Sequence, residues 1–246
     1  MTILLVNDDG FEAEGIRVLE KVLSSYGHEI WVSAPMRQMS GMSHAMTISR
    51  EMEIRRESEN HYCMDGTPVD CVLYAKRYEE GLFPHDPDLV ISGINSGYNL
   101  ATDITYSGTC GAAREAVLCS WKAIAISSER YDYKKCATFI AERLPLLYDT
   151  LDLESFMNIN FPPSFNGEMR LTIPGDIRYS DKVHLLRRSG SSLIVKITDV
   201  VREDLHVDGF LNDTEACNEG FASVSSVSIL NKSGLAGFEK LKGLLS

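Results

Sequence analysis

A chain of 246 residues, 44% hydrophobic and 24% charged, has the make-up of a folded protein long enough for one large domain or a core with an appendage. Its formal net charge of −11 excludes the broad basic footprint of a nucleic-acid binder, and it opposes a phosphorylated substrate unless a cation and backbone dipoles offset the field locally. Six cysteines with neither a CxxC pair nor a zinc spacing, no signal-peptide pattern, and no apolar run near the roughly 18 residues of a membrane span predict a cytoplasmic protein with reduced thiols and no membrane partner.

Ile3-Leu4-Leu5-Val6 is a run of strand formers that leads directly into Asn7-Asp8-Asp9-Gly10. It reads as a buried parallel strand. Ligands of open α/β sheets collect beyond the carboxyl ends of the strands, and ionised carboxylates are costly to bury, so adjacent acids at a strand end point to chemistry. Gly10 lets the chain turn there, and two hard oxygen donors meeting at one point suit Mg²⁺ or Mn²⁺. The plainer reading is that one Asp caps the next helix and the other is solvated. Ile16, Leu19, Val22, Leu23 and Tyr26 recur at helical spacing, and that helix stops at Gly27. A second strand covers 28–34, and residues 36–49 form a polar loop holding Ser40, Gly41, His44 and Thr47. Dense charge and weak alternation over 48–62 suit a hairpin or edge strands. Thr67 then caps a helix whose first residue is Pro68.

Residues 88–95 form a further strand, ending in Ser92-Gly93-Ile94-Asn95, and Ser107-Gly108-Thr109 opens a helix that runs through Glu115 to Trp121. A strand over 122–127, a helix over 134–148 and a strand over 156–161 follow. This alternation predicts an α/β fold: a doubly wound, mostly parallel, Rossmann-like sheet. Beyond Pro162-Pro163 the helical period fades into short β-like runs at 169–173, 192–197 and 222–230. The chain is therefore divided into a core, 1–165, and a β-rich C-terminal appendage, 166–246, which is expected to supply an oligomerisation arm and closing elements of the core.

Strand ends bring Asp8, Asp9, Ser40 and Asn95 to one edge of the sheet, where the small residues 107–109 start a helix. Such a helix start exposes free N–H groups to a phosphate, although an ordinary N-cap is the plainer role for Ser107. Thr2 through Gly10, Ser40-Gly41-Met42-Ser43-His44, Gly66-Thr67-Pro68-Val69-Asp70-Cys71-Val72, Pro87 through Asn95, and Tyr106-Ser107-Gly108-Thr109 occur in this order. Through them the chain resembles the SurE (survival protein E) family of metal-dependent nucleotidases. The resemblance is dense over 1–165, thin over 166–219, and resumes at Gly220-Phe221-Ala222-Ser223-Val224.

The resemblance implies a SurE-like fold and a metal-dependent phosphomonoesterase that releases phosphate from nucleoside monophosphates. It implies one divalent cation per subunit, Mg²⁺ or Mn²⁺, on Asp8, Asp9, Ser40 and Asn95. Asp8 and Asn95 are expected to be catalytic. Asn7, Gly41, His44, Ser107, Gly108 and Thr109 are expected to bind substrate, in a homodimer or homotetramer. Ser96 stands where the family commonly has Arg, so a cation that could pair with phosphate is missing there, and whether Arg114 or Lys122 compensates is open. His44 reads either as a proton relay near the phosphate or as a loop-packing residue; His28, His61, His85, His184 and His206 read as structural. Tyr98, Tyr106 and Trp121 could stack on a base or pack in the core. A receiver-type Mg²⁺-binding domain would need Asp at position 95 and a Lys after the 122–127 strand, and has neither; a catalytically weakened nucleotide-binding protein is the remaining alternative.

Overall fold

The computed structural model describes residues 1–129, 132–198, 202–205 and 209–229. In chain order the elements are β1 (Thr2–Val6), α1 (Glu14–Ser25), β2 (Glu29–Pro35), β3 (Ile54–Ser58), β4 (His61–Met64), α2 (Pro68–Arg77) and β5 (Leu89–Ser96). Then come α3 (Asp103–Tyr106), α4 (Gly108–Leu118), β6 (Ala123–Ser128), α5 (Tyr133–Thr150), β7 (Ser155–Phe161), β8 (Met169–Thr172) and β9 (Asp176–Tyr179). The described chain closes with β10 (Lys182–Ser189), β11 (Ser192–Thr198), β12 (Arg202–Leu205), α6 (Asp213–Asn218) and β13 (Ala222–Ser228).

One sheet of nine strands runs β3-β4-β2-β1-β5-β6-β7-β13-β8. The strands from β4 through β7 are parallel to their neighbours, whereas β3 is an antiparallel edge strand. The α/β, mostly parallel architecture is thus the one read from the strand–helix alternation. Strand β1 shows why its sequence is apolar throughout. Ile3 and Leu5 enter the core beneath α1 and α5, while Leu4 and Val6 enter the opposite core beneath α2 and α4. Each such side chain, fully buried, contributes roughly 1.5–3 kcal/mol. In β6, Ala123 and Ala125 face Ala112, Ala113 and Ala116 of α4, so that helix lies close on the sheet. The chain leaves β1 toward β2 on one side and returns to β5 on the other, which opens a switch-point crevice at the carboxyl ends of β1 and β5.

Residues beyond 165 do not all stand apart from the core. Strand β13 is antiparallel to β7 and parallel to β8, and both β13 and β8 extend the main sheet. β9 pairs with β12, and β10 pairs with β11 as a separate hairpin. Of these, β9, β10, β12 and the short α3 and α6 were not expected from the sequence. Leu230, His206 and residues 231–246 lie outside the described residues. Among the described residues no helix is long and apolar enough to cross a membrane, and all six cysteines are buried and free of disulfides.

The approach of β5 to the crevice depends on Gly93. The β5–β6 register shifts between Ser92 and Asn95, Gly93 has φ +141°, and a Cβ built there would lie 2.3 Å from the carbonyl oxygen of Ile126. The irregularity re-aims Asn95 at the strand end. Gly93→Ala is expected to lower stability by about 3 kcal/mol through combined backbone strain and overpacking. Urea unfolding checks this, and an unchanged midpoint would contradict it.

Candidate active site

The turn after β1 is built by Asn7. Its side-chain amide donates to the Gly10 carbonyl at 2.7 Å and accepts from the Gly10 N–H at 3.2 Å, with the residue 1% exposed. That amide is committed to shaping the turn, so the structure gives Asn7 a supporting place behind the acids. Asp8 emerges buried and faces α4, where Thr109 donates its hydroxyl to Oδ1 at 2.7 Å and its N–H to Oδ2 at 3.3 Å. Burial pushes the Asp8 carboxyl up from the ordinary 3.8 to about 6, against the lowering effect of the Thr109 bonds and with a further raise from Asp9. Burial also raises Asp9, whose Oδ2 accepts the Ser96 N–H at 2.9 Å.

The segments that carry the other expected donors are hydrogen-bonded to these acids. Met39 N–H donates to the Asp8 main-chain carbonyl at 2.7 Å, which draws the loop after β2 against the crevice and sets Ser40 beside it. Ser40 is exposed and accepts a side-chain hydrogen bond from Gln38 at 3.0 Å, with exposed Gly41 next in the chain. Asn95 follows the β5 irregularity, and its Nδ2 donates to the Gly97 carbonyl at 3.0 Å, which orients the amide. Ser107 is the N-cap of α4, its hydroxyl accepting the Cys110 N–H at 3.1 Å. A Cβ on Gly108 would come within 3.0 Å of Asp8 Cβ, so glycine is what lets the helix start so close to the acid.

Several expected contacts take other forms. His44 pairs through Nε2 with Glu115 of α4 at 2.9 Å and so packs its loop on the helix. Lys122 donates to the Tyr148 carbonyl and lies over the Tyr148 ring, at the start of β6 and the far edge of the sheet from the crevice. Arg114 lies over the Phe156 ring at the start of β7. Neither replaces a cation at position 96, where Ser96 contributes its backbone N–H instead. Trp121 is core, Tyr98 is half-buried against Leu100 and Cys217, and Tyr106 is exposed.

The sequence reading missed a buried polar net that fixes the chain between β5 and α3. Asn99 donates its N–H to Asn160 and its amide to Ser127, while its carbonyl accepts from Asn158 and Asn160. The signal was present in β7, where Asn158 and Asn160 recur at the two-residue period of one strand face. Asp70 was missed as well: it takes the N–H and hydroxyl of Thr47 and the N–H of Thr67, which pins the far end of the Ser40 loop to α2.

The donor set suits a hard divalent cation. Two adjacent carboxyls are both raised by burial, and the Ser40 hydroxyl and the Asn95 amide on the adjoining segments add neutral oxygen donors. Among the described residues no group of three His, Cys, Asp or Glu side chains is placed to hold a metal, so a cation here relies on two carboxylates and neutral oxygens.

Residues 3–181 match the family described as Survival protein SurE. The chain is 39% identical over 194 residues to the 5'-nucleotidase SurE of Desulforudis audaxviator, covering 74% of each chain. It is 45% identical over 133 residues to the 5'-nucleotidase SurE of Brucella canis, covering 54% of this chain and 51%, about half, of that protein. The crystal structure of SurE protein from Aquifex aeolicus is similar across 100% of both chains, with a TM-score of 0.82 at 29% identity.

With its carboxyl raised from 3.8 to about 6, Asp8 keeps a proton in the folded state over a pH range where the unfolded chain has released it. Stability without a cation therefore falls as pH rises through that window. Asp8→Asn removes the buried charge and is expected to stabilise the metal-free protein at pH 7.5 by up to about 3 kcal/mol. Mn²⁺ should raise the melting temperature of the wild type and not of the variant. Thermal melts in EDTA and in Mn²⁺ check both effects, and a variant that melts below the wild type in EDTA would contradict the first.

Proposed function

Because the chain belongs to the survival protein SurE family, we propose that the crevice at the ends of β1 and β5 releases phosphate from nucleoside monophosphates. The protein is a phosphoric monoester hydrolase of the 5'-nucleotidase kind. One observation supports this reading: Asp8, a buried carboxyl pushed up to about 6, stands against the first turn of α4 with Asp9 beside it. That is an anion-binding helix start and a cation-binding acid pair at a single point.

Asp8, Asp9, Ser40 and Asn95 would hold one divalent cation per subunit, Mg²⁺ or Mn²⁺. Bound there, it supplies Lewis-acid stabilisation of the phosphoryl oxygens and lowers the pKa of a water. The rest is the work of this chain. The N-terminal turn of α4 offers the Gly108 N–H and the positive end of its dipole to the phosphate, an effect of roughly 0.3–1 kcal/mol at exposed sites and up to ∼2 when partly buried. The Ser107 hydroxyl caps that turn and holds the Gly108 amide in place, while the Thr109 N–H and hydroxyl steady Asp8. Asp8, carboxylate once its proton is lost, is positioned to orient the attacking water and accept its proton. Asn95, steadied by Gly97, orients its amide beside the reacting phosphate. Gly41 borders the substrate path without a side chain.

The same reading places the protein in the cytoplasm, where the six buried thiols stay reduced, and makes it a homodimer or homotetramer. The β10–β11 hairpin supports the assembly. It stands as a separate two-stranded sheet and exposes Val183, Leu185, Leu186, Leu193, Val195 and Ile197, and two lone strands are marginal in water. A second copy of the chain covering them removes that apolar surface.

Phosphate release from a panel of nucleoside monophosphates, with Mn²⁺, with Mg²⁺ and with EDTA, tests the reaction. Metal-dependent release is expected. A folded protein that binds nucleotide and releases nothing under any metal would instead be a binding protein. For the assembly, Leu185→Asp with Leu193→Asp is expected to shift the molecular mass in solution toward the monomer. Light scattering reads this directly, and an unchanged mass would place the interface elsewhere.

A further inference from the structure

Behind the crevice, Glu115 occupies the middle of α4 at 3% exposure. Its carboxylate oxygens have separate partners. Oε2 lies 2.9 Å from His44 Nε2, and Oε1 accepts from the Cys119 thiol at 3.7 Å. A carboxylate only accepts, so His44 Nε2 carries the hydrogen. The thiol of Cys119, pushed up to about 11 chiefly by burial, stays protonated and donates. The other His44 nitrogen, Nδ1, is buried without a hydrogen-bond partner, so the bond to Glu115 is what orients the ring.

His44 lies on the loop that carries Ser40, and its neighbour Ser43 is fixed on three sides. The Ser43 N–H and hydroxyl donate to the carbonyls of Tyr106 and Thr105 at 2.9 and 2.7 Å. The Ser43 carbonyl lies so close to α4 that a Cβ on Gly111 would approach it to 2.3 Å. On the opposite side of Ser40, Met39 is bonded to the Asp8 carbonyl. Ser40 is therefore suspended between an anchor on the β1 turn and an anchor on α4, the helix whose first turn holds Asp8.

We propose that Glu115, acting through His44, is a positioning residue for the cation site, clamping residues 39–44 to α4 so that Ser40 is presented to Asp8 and Asp9. The proposal rests on the metal-dependent reading above. A buried carboxylate in mid-helix has a large desolvation cost and is retained where its partners justify it. Here those partners tie the expected ligand on the long segment after β2 to the helix whose first turn meets Asp8. Outer partners of this type set metal affinity and activity by about 10–100-fold.

The test is Mn²⁺ binding to the full-length protein by titration calorimetry, with steady-state kinetics alongside. Glu115→Ala and His44→Ala are each expected to weaken Mn²⁺ binding about tenfold or more. The double variant should bind no more weakly than the singles, because the clamp is broken once. Glu115→Gln still accepts from Nε2–H and is expected to stay within about threefold of the wild type. Saturating Mn²⁺ should return kcat of the alanine variants toward the wild-type value, a split that general destabilisation does not produce. Wild-type Mn²⁺ affinity in both alanine variants, or losses that add, would overturn the proposal. His44 is 23% exposed in its side chain, so His44→Ala tests the bond even where Glu115→Ala fails to fold. A wild-type protein that neither binds Mn²⁺ nor releases phosphate refutes the functional reading itself; one that does both, with variants that match it, refutes only the clamp.

Discussion

The structure depends on a buried negative charge at the end of a central strand. Asp8 is held where an ionised carboxyl is costly, and the Thr109 bonds at the start of α4, with a bond from Asp8's own backbone, oppose that cost. The rest of the neighbourhood follows from keeping the carboxyl in place. Asn7 closes the turn, Gly108 removes the side chain that would collide with the acid, and Ser107 caps the helix that faces it. The arrangement stores destabilisation at a point where a bound cation would relieve it.

Around that point, precision comes from side chains that take main-chain hydrogen bonds. The long segment after β2 has no regular structure, yet it is fastened to β1 by Met39, to α3 and α4 by Ser43 and His44, and to α2 by Thr47 through Asp70. The chain after β5 is held similarly by Asn99, Asn158 and Asn160, and by Asp213, whose carboxylate takes the N–H groups of Ala101, Gly175 and Thr214. Asp213 is raised by burial and lowered by those three donors. Loops fixed in this way hold ligands as firmly as strands do, because each buried polar group left unpaired would cost about 1–3 kcal/mol.

What was legible in the sequence tracks what has a period or a local chemical reason. The β1 run, the helix start at Ser107 and the capping Thr67 each announce themselves within a few residues. The gathering of strand ends at one edge follows from parallel strand order, and it is what made Asp8, Asp9, Ser40 and Asn95 candidates for one site. Glu115 was not legible: a charged residue in mid-helix reads as a solvated one until the loop packed over it is known. Arg114 and Lys122 looked available for a phosphate until the direction of their elements placed them elsewhere. Strand β11 was read as a β run, whereas its partner β10 was not, because both faces of β10 are exposed and no face needed to be apolar or polar. Strand β13 was read as a β run without a place, since its partners lie more than sixty residues back or across α6.

The position of β13 bears on how the molecule assembles. It lies between β7 and β8, and among the described residues β8 has no other partner in the sheet. During synthesis β8 therefore leaves the ribosome before the strand it must pair with. Until residues 222–228 arrive, the outer edge of β7 is an open template and β8 has nowhere to dock. Closing the sheet is a long-range event that waits for the last described strand, while the crevice-forming half, β1 through β6, can pair from residues already emerged. Topologies with such late, non-local closure fold slowly and leave strand edges exposed in the interval. Ser225 and Thr172, hydrogen-bonded to each other at 2.7 Å across the final β13–β8 pair, mark the point at which that exposure ends.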